Sequence, residues 1–192
     1  GKTSVVAGLI SSLPNMEWIA FKVTQFGHGI CSANGEPCDC ETDAHTVAVT
    51  QEHSSSGGTD SARFLAAGAA RSYWVRTRQG QLAEAMPRVR KELALAKNAI
   101  LESNSIVRFL KPDLYLTVLN PAIRDFKPSA QYFLDRSDAV LWSGTRSAPD
   151  ESAWPNEWMV LVRNKPQFFV TRPAYTSEAL TEFVRQRLAG RE

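Results

Sequence analysis

The sequence lacks the features that would place it in a specialised class of protein. No apolar run approaches the roughly 20 residues needed to span a bilayer, so no membrane partner is expected. A formal net charge of +2 is too small to single out nucleic acid as a partner. The chain has no Met at its start and no pattern of basic start, apolar stretch and small-residue cleavage site. Gly1 therefore reads as a truncation boundary, with a first strand expected upstream. Cysteine is scarce: Cys31, Cys38 and Cys40 are an odd number crowded together, which makes a poor disulfide framework. A reducing, cytoplasmic setting is the expectation.

What is present suits an ordinary globular domain. Of 192 residues, 43% are hydrophobic and 22% charged, enough for one core spanning 1–192. Apolar positions at Val5, Val6, Leu9, Ile10 and Leu13 recur at helical spacing, and Pro14 and Asn15 end that helix. Residues 18–24 read as a buried strand with Lys22 near its carboxyl end. Residues 25–58 read as a long polar loop, periodic only around His45 to Thr50, of a length that is usually functional or disordered. Thr59 or Asp60 caps a short helix over 61–69, a strand follows over 71–76, and 81–96 is strongly amphipathic despite Pro87. Strands are expected over 98–102, 114–119, 139–142, 158–162 and 168–170, with helices over 129–136 and 177–188. Helices alternating with short buried strands predict an α/β fold: a mostly parallel sheet covered by helices on both faces.

The chemistry begins at the first residues. Gly1-Lys2-Thr3-Ser4 is the end of the phosphate-binding pattern G-x-x-x-x-G-K-[ST]. Gly1 lets the backbone approach phosphate oxygens, and the helix start offers N–H groups to them. Lys2 supplies a point charge between the outer phosphates, and the Thr3 hydroxyl is a magnesium ligand. An amphipathic helix and then a buried strand follow at once, which is the context this loop requires. A solvated lysine at a frayed helix start is the alternative. A carboxylate at a buried strand end should complete the magnesium shell, and Glu102 in Ala99-Ile100-Leu101-Glu102 fits, unless it is a surface glutamate. Asp60 could touch magnesium, touch substrate or cap its helix.

On these residues the chain resembles the P-loop family of molybdopterin-guanine dinucleotide biosynthesis protein B and, more distantly, dethiobiotin synthetase. The matching positions are Gly1 to Ser4, Phe21-Lys22-Val23-Thr24, Gly58-Thr59-Asp60-Ser61 before Ala67-Gly68-Ala69, and Ile100-Leu101-Glu102. Where that family carries histidines after its strand-end lysine, Thr24-Gln25-Phe26-Gly27-His28 stand here. The resemblance implies a SIMIBI-like P-loop NTPase fold, often a homodimer, and Mg-nucleotide binding linked to cofactor biosynthesis.

Three further clusters carry open alternatives. Asn164-Lys165-Pro166-Gln167, after the strand expected over 158–162, looks like the Asn-Lys-x-Asp guanine motif with Gln167 in place of the aspartate. An uncharged amide weakens selectivity for guanine, so ATP and GTP both stand. Asn164 contacts a base edge, or the segment is a plain turn. Cys31, Cys38, Cys40 and His45, with His28 nearby, have the ligand types of a tetrahedral zinc site. Metal-free thiols on an acidic solvated loop explain them equally. Arg76 and Arg78 follow a strand and either contact an anionic substrate or belong to a solvated face.

The expected function is that of an NTPase or a kinase-like phosphotransferase with Mg-ATP or Mg-GTP. The outer phosphoryl group goes to water or a small acceptor, with Lys2, Glu102 and Asp60 as the chemical residues. The alternative is a nucleotide-dependent, metallochaperone-like adaptor that serves a protein partner with little turnover.

Overall fold

The computed structural model describes residues 1–26, 47–122, 131–145, 147 and 154–190. The described elements run, in chain order, α1 (Lys2–Ser12), β1 (Trp18–Phe26), β2 (Val47–Glu52), α2 (Asp60–Ala66), β3 (Arg71–Arg78), α3 (Leu82–Leu93) and β4 (Asn98–Glu102). They continue as β5 (Leu116–Leu119), β6 (Ala139–Ser143), α4 (Asn156–Val162), β7 (Gln167–Val170) and α5 (Glu178–Ala189). Short 3-10 turns lie at Pro14–Met16, Ile106–Arg108 and Leu134–Arg136. The chain is α/β, its strands mostly parallel, and it divides into two compact units. One is Pro14–Phe109, and the other is Gly1–Leu13 together with Leu110–Glu192.

In the unit Pro14–Phe109 the sheet order is β2-β3-β1-β4. β1 runs parallel to both β3 and β4, whereas β2 is antiparallel to β3. A central parallel strand is covered on both faces, and Trp18, Ile19, Ala20 and Phe21 are accordingly all buried. β1 extends two residues past its expected end, because Gln25 and Phe26 still pair with Thr77 and Arg78. Phe21 stacks on Tyr73 across the ladder with centroids 5.1 Å apart. Each such buried aromatic contributes about 1.5–3 kcal/mol by area burial.

α2 and α3 cover opposite faces of this sheet. Asp60 at the start of α2 reaches Lys22, whereas Glu92 of α3 accepts from the Tyr73 hydroxyl at 2.7 Å. Lys22 is the ladder partner of Trp74, so Tyr73 belongs to the alternate face. α3 tolerates Pro87, which removes one backbone donor, because Leu82, Ala85, Met86 and Val89 are buried along one side. Glu92 is buried too, bridged by Arg71 at 3.6 Å and Arg88 at 3.2 Å. β2 corrects the loop expected over 25–58. It is an edge strand of half-buried and exposed residues, so its alternation is faint in the sequence.

In the second unit β5, β6 and β7 are parallel and lie in that order. Every residue of β6 is buried. Trp142, Trp154, Met159 and Val162 pack in one apolar cluster, and Trp142 meets Trp154 edge-on at 5.4 Å. The strand expected over 158–162 is instead helix α4. Pro155 and Glu157 begin it, and only Met159 and Val162, one helical turn apart, are buried. A short apolar run does not by its period separate helix from strand. The helix expected over 129–136 falls partly outside the described residues and ends in the 3-10 turn Leu134–Arg136.

Candidate functional site

In the unit Pro14–Phe109 a compact array of charges centres on Lys22. The register of the parallel ladder makes Lys22 and Glu102 direct Cα partners, so their side chains leave the same face as neighbours. Lys22 Nζ donates to Glu102 Oε1 at 2.8 Å and lies 2.6 Å from Asp60 Oδ2. Lys22 and Glu102 are only 19% and 7% exposed, whereas Asp60 is 35% exposed and so faces outward from the array. Arg63 lies 3.5 Å from the other oxygen of Asp60. Burial alone pulls the Lys22 pKa down. The charge of Glu102 and the hydrogen bonds and charge of Asp60 outweigh it and hold the ammonium above its ordinary value.

The start of α2 is fixed by a carboxylate that sequence reading did not single out. Glu52, the last residue of β2, accepts from the Thr59 hydroxyl at 2.9 Å and the Ser61 hydroxyl at 3.0 Å through Oε2. Its Oε1 accepts the backbone N–H groups of His53 and Ser54. The bond from Ser54, then that from Thr59, with smaller help from Ser61 and His53, holds the Glu52 carboxyl below its ordinary range. Thr59 in turn caps α2 by accepting from the Ala62 N–H at 3.1 Å. Thr59 is therefore the cap, and Asp60 is left to Lys22 and Arg63. No local pattern announces Glu52, because its hydroxyl partners are seven and nine residues away around a turn.

The arrangement sits where β4 ends, at the carboxyl edge of the parallel strands, the usual ligand edge of α/β sheets. It offers two carboxylates of the hard-oxygen type that magnesium takes, fixed by one ammonium. Sequence reading placed Asp60 and Glu102 in the site singly. That Lys22 joins them depends on strand register, which the sequence does not display.

In the other unit, α1 begins at Gly1, whose carbonyl accepts the N–H groups of Ser4 and Val5 at 3.1 and 3.2 Å. The helix has eleven residues and no acidic residue in its first turn. Its leading N–H groups and dipole therefore favour an anion, with no nearby acidic side chain in the turn to oppose it. Lys2 is exposed, and Thr3 and Ser4 are half-buried.

Asn164 is exposed on the turn between α4 and β7, at the amino edge of its sheet. Its neighbours have structural partners. Lys165 donates to the carbonyls of Asp135 and Ser137 at 2.8 and 2.6 Å, and the Gln167 amide oxygen accepts from the Trp142 indole at 2.8 Å. Cys31, Cys38, Cys40, His45 and His28 lie outside the described residues. Among the described residues no three His, Cys, Asp or Glu side chains converge on a metal position. No helix among them is long and apolar enough to cross a membrane.

No protein-family model matches the chain, and no curated protein matches it. Among solved structures it is similar to the crystal structure of HypB from Helicobacter pylori in complex with nickel. The TM-score is 0.52 at 14% identity, covering 99% of this chain and 82% of that one. At that identity the likeness shows the α/β fold alone.

Proposed function

We propose that this chain binds a Mg-nucleoside triphosphate, ATP or GTP, and transfers its outer phosphoryl group to water or a small acceptor in cofactor biosynthesis. The observation that carries this is Gly1-Lys2-Thr3-Ser4 at the amino end of an α-helix, in a fold similar to HypB. In this reading Gly1 and the first turn of α1 receive phosphate oxygens, and Lys2 places a point charge on the outer phosphates. Thr3 would hold magnesium at this helix start, and Glu102, in the other unit, keeps its assignment as the strand-end carboxylate that the motif calls for. The metal, when bound, neutralises charge on the phosphates. Lys22 holds Glu102 and Asp60 in place, and Asp60 orients the acceptor. The finer resemblance, to the molybdopterin-guanine dinucleotide biosynthesis protein B family, would assign the acceptor to molybdenum-cofactor assembly and make the protein a homodimer.

The test is titration of fluorescent ATP and GTP with and without magnesium, beside Lys2→Ala. Loss of one charge-assisted phosphate contact, about 1.5–3 kcal/mol, predicts weakening by roughly ten- to a hundredfold. The stronger of the two titrations identifies the base. Absence of binding to folded protein, or equal binding by Lys2→Ala, would overturn this function.

One observation favours a second reading, a nucleotide-dependent and metallochaperone-like adaptor acting on a protein partner. The structural neighbour is a nickel complex, and Cys31, Cys38, Cys40 and His45 are soft-metal ligand types close together in sequence. Equilibrium dialysis with nickel and with zinc, against a variant with all three cysteines changed to Ser, separates the readings. Metal retained by the parent and lost by the variant supports the adaptor; equal retention sinks it.

A further inference from the structure

We infer that Arg76, Trp74, Thr24 and Thr50 form a seat for an oxyanion of the acceptor, a carboxylate or a phosphate group, a proposal that rests on the phosphotransfer reading above. Trp74 is the direct Cα partner of Lys22 on one side and of Thr50 on the other. Arg76, two residues on, partners Thr24 and Ala48. These residues therefore share the sheet face of Lys22 and continue it toward the carboxyl edge. The four side chains are joined. The Trp74 indole donates to Thr24 Oγ1 at 3.1 Å, and the Arg76 guanidinium lies 4.6 Å from the Trp74 ring centroid. Its Nη2 makes a long 3.4 Å contact to Thr50 Oγ1.

Arg76 differs from its neighbours in charge balance. Arg63, Arg71 and Arg88 each pair with a carboxylate. Among the described residues no carboxylate lies within ion-pair distance of Arg76, and its Nε is buried with no hydrogen-bond partner. A guanidinium partly removed from water, held over an indole and not neutralised by a carboxylate among the described residues, is an incomplete ion pair. An oxyanion completes it, with the planar fork of Arg offering paired donors and the Thr50 hydroxyl a further one. The seat adjoins Lys22, which holds Asp60. An acceptor anchored there by its anionic group is thus presented beside the carboxylate assigned to orient it.

The test is heteronuclear NMR of the full chain with saturating Mg and a non-hydrolysable nucleotide, titrated with succinate and, separately, inorganic phosphate. Filling the nucleotide site first keeps phosphate from reporting on Lys2. The expected result is movement of the Trp74 indole N–H and Arg76 Nε–H resonances with at least one probe. Arg76→Lys should weaken that binding about tenfold, because a point charge does not replace a fork. Thr50→Val, at an exposed edge position, should weaken it by roughly threefold. Both variants should bind nucleotide as the parent does. A carboxylate acceptor is indicated if succinate acts and phosphate does not, a phosphate acceptor if the reverse. The seat is overturned if neither probe moves those resonances, or if Arg76→Lys and Thr50→Val bind both probes as the parent does. If nucleotide fails to bind while a probe still acts through Arg76, the phosphotransfer reading falls and the oxyanion seat stands.

Discussion

Lys22 and Glu102 are ladder partners on adjacent parallel strands, and their side chains close an ion pair at 2.8 Å with Glu102 only 7% exposed. Asp60 shares the ammonium at 2.6 Å. Removing one partner from a buried pair leaves a charge without compensation. Because Asp60 remains beside Lys22, Glu102→Ala should destabilise the protein by about 1–3 kcal/mol rather than the larger cost of a fully orphaned charge. Urea unfolding measures this. The double variant Lys22→Met with Glu102→Leu should recover much of the loss, since apolar residues of similar size remove both charges together. A double variant no better than the single one would show that the pair is not the source.

The same ammonium fixes a dependence on pH. Its pKa in the folded chain is raised above 10.5, because Glu102 and Asp60 outweigh the burial that alone would lower it. The resulting stability is present in full below 10.5 and is lost as pH rises through the higher folded value. Unfolding free energy should therefore fall more steeply above pH 10.5 in the parent than in Lys22→Met. Parallel curves for the two proteins would contradict the assignment.

At the start of α2, Thr59 caps the helix and holds Glu52 at 2.9 Å. Thr59→Ala should cost about 1 kcal/mol, as loss of a capping side chain generally does. Glu52→Gln should cost less, because the amide oxygen keeps the backbone N–H bonds and the Thr59 and Ser61 hydroxyls can rotate to accept from its nitrogen. Hydrogen exchange at Ala62 and Arg63 reports on the first turn directly. Faster exchange there in Thr59→Ala, with the rest of the sheet unchanged, is the expected pattern.

The fold class and most elements were legible because they rest on local pattern. β6 is a short continuous apolar run, α3 has a strong helical period, and α2 carries Thr59 before Asp60. The misreadings fall where local pattern is ambiguous. Residues 158–162 are apolar in both readings, and only Pro155 and Glu157 ahead of them favour the helix that forms. β2 buries too little to alternate. Within the candidate site, Glu102 and Asp60 could be named from their positions at element ends. Their union through Lys22 and the Trp74–Thr24 and Arg76–Thr50 contacts depend on register between strands, whereas the clamp by Glu52 depends on the turn that leads from β2 to α2. Register is a tertiary property, set by packing of one face rather than by any stretch of residues.

Gly8 sets helix propensity against packing, and the two predict opposite outcomes. It lies inside α1 and is buried. By propensity alone, Gly8→Ala should stabilise the helix by about 1 kcal/mol. Yet a Cβ at this position would run into the carbonyl oxygen of Ala174, with the Tyr175 backbone only 3.3 Å away. Both obstacles are main chain, so no side chain can swing aside to make room. Overpacking of this kind costs about 1–3 kcal/mol, which exceeds the propensity gain through most of that range, because here the helix itself or the 174–175 segment must shift. Gly8→Ala should therefore lower the thermal midpoint, and Gly8→Val should lower it further. A rise in the midpoint for Gly8→Ala would mean that α1 and the Ala174–Tyr175 segment do not approach this closely in solution.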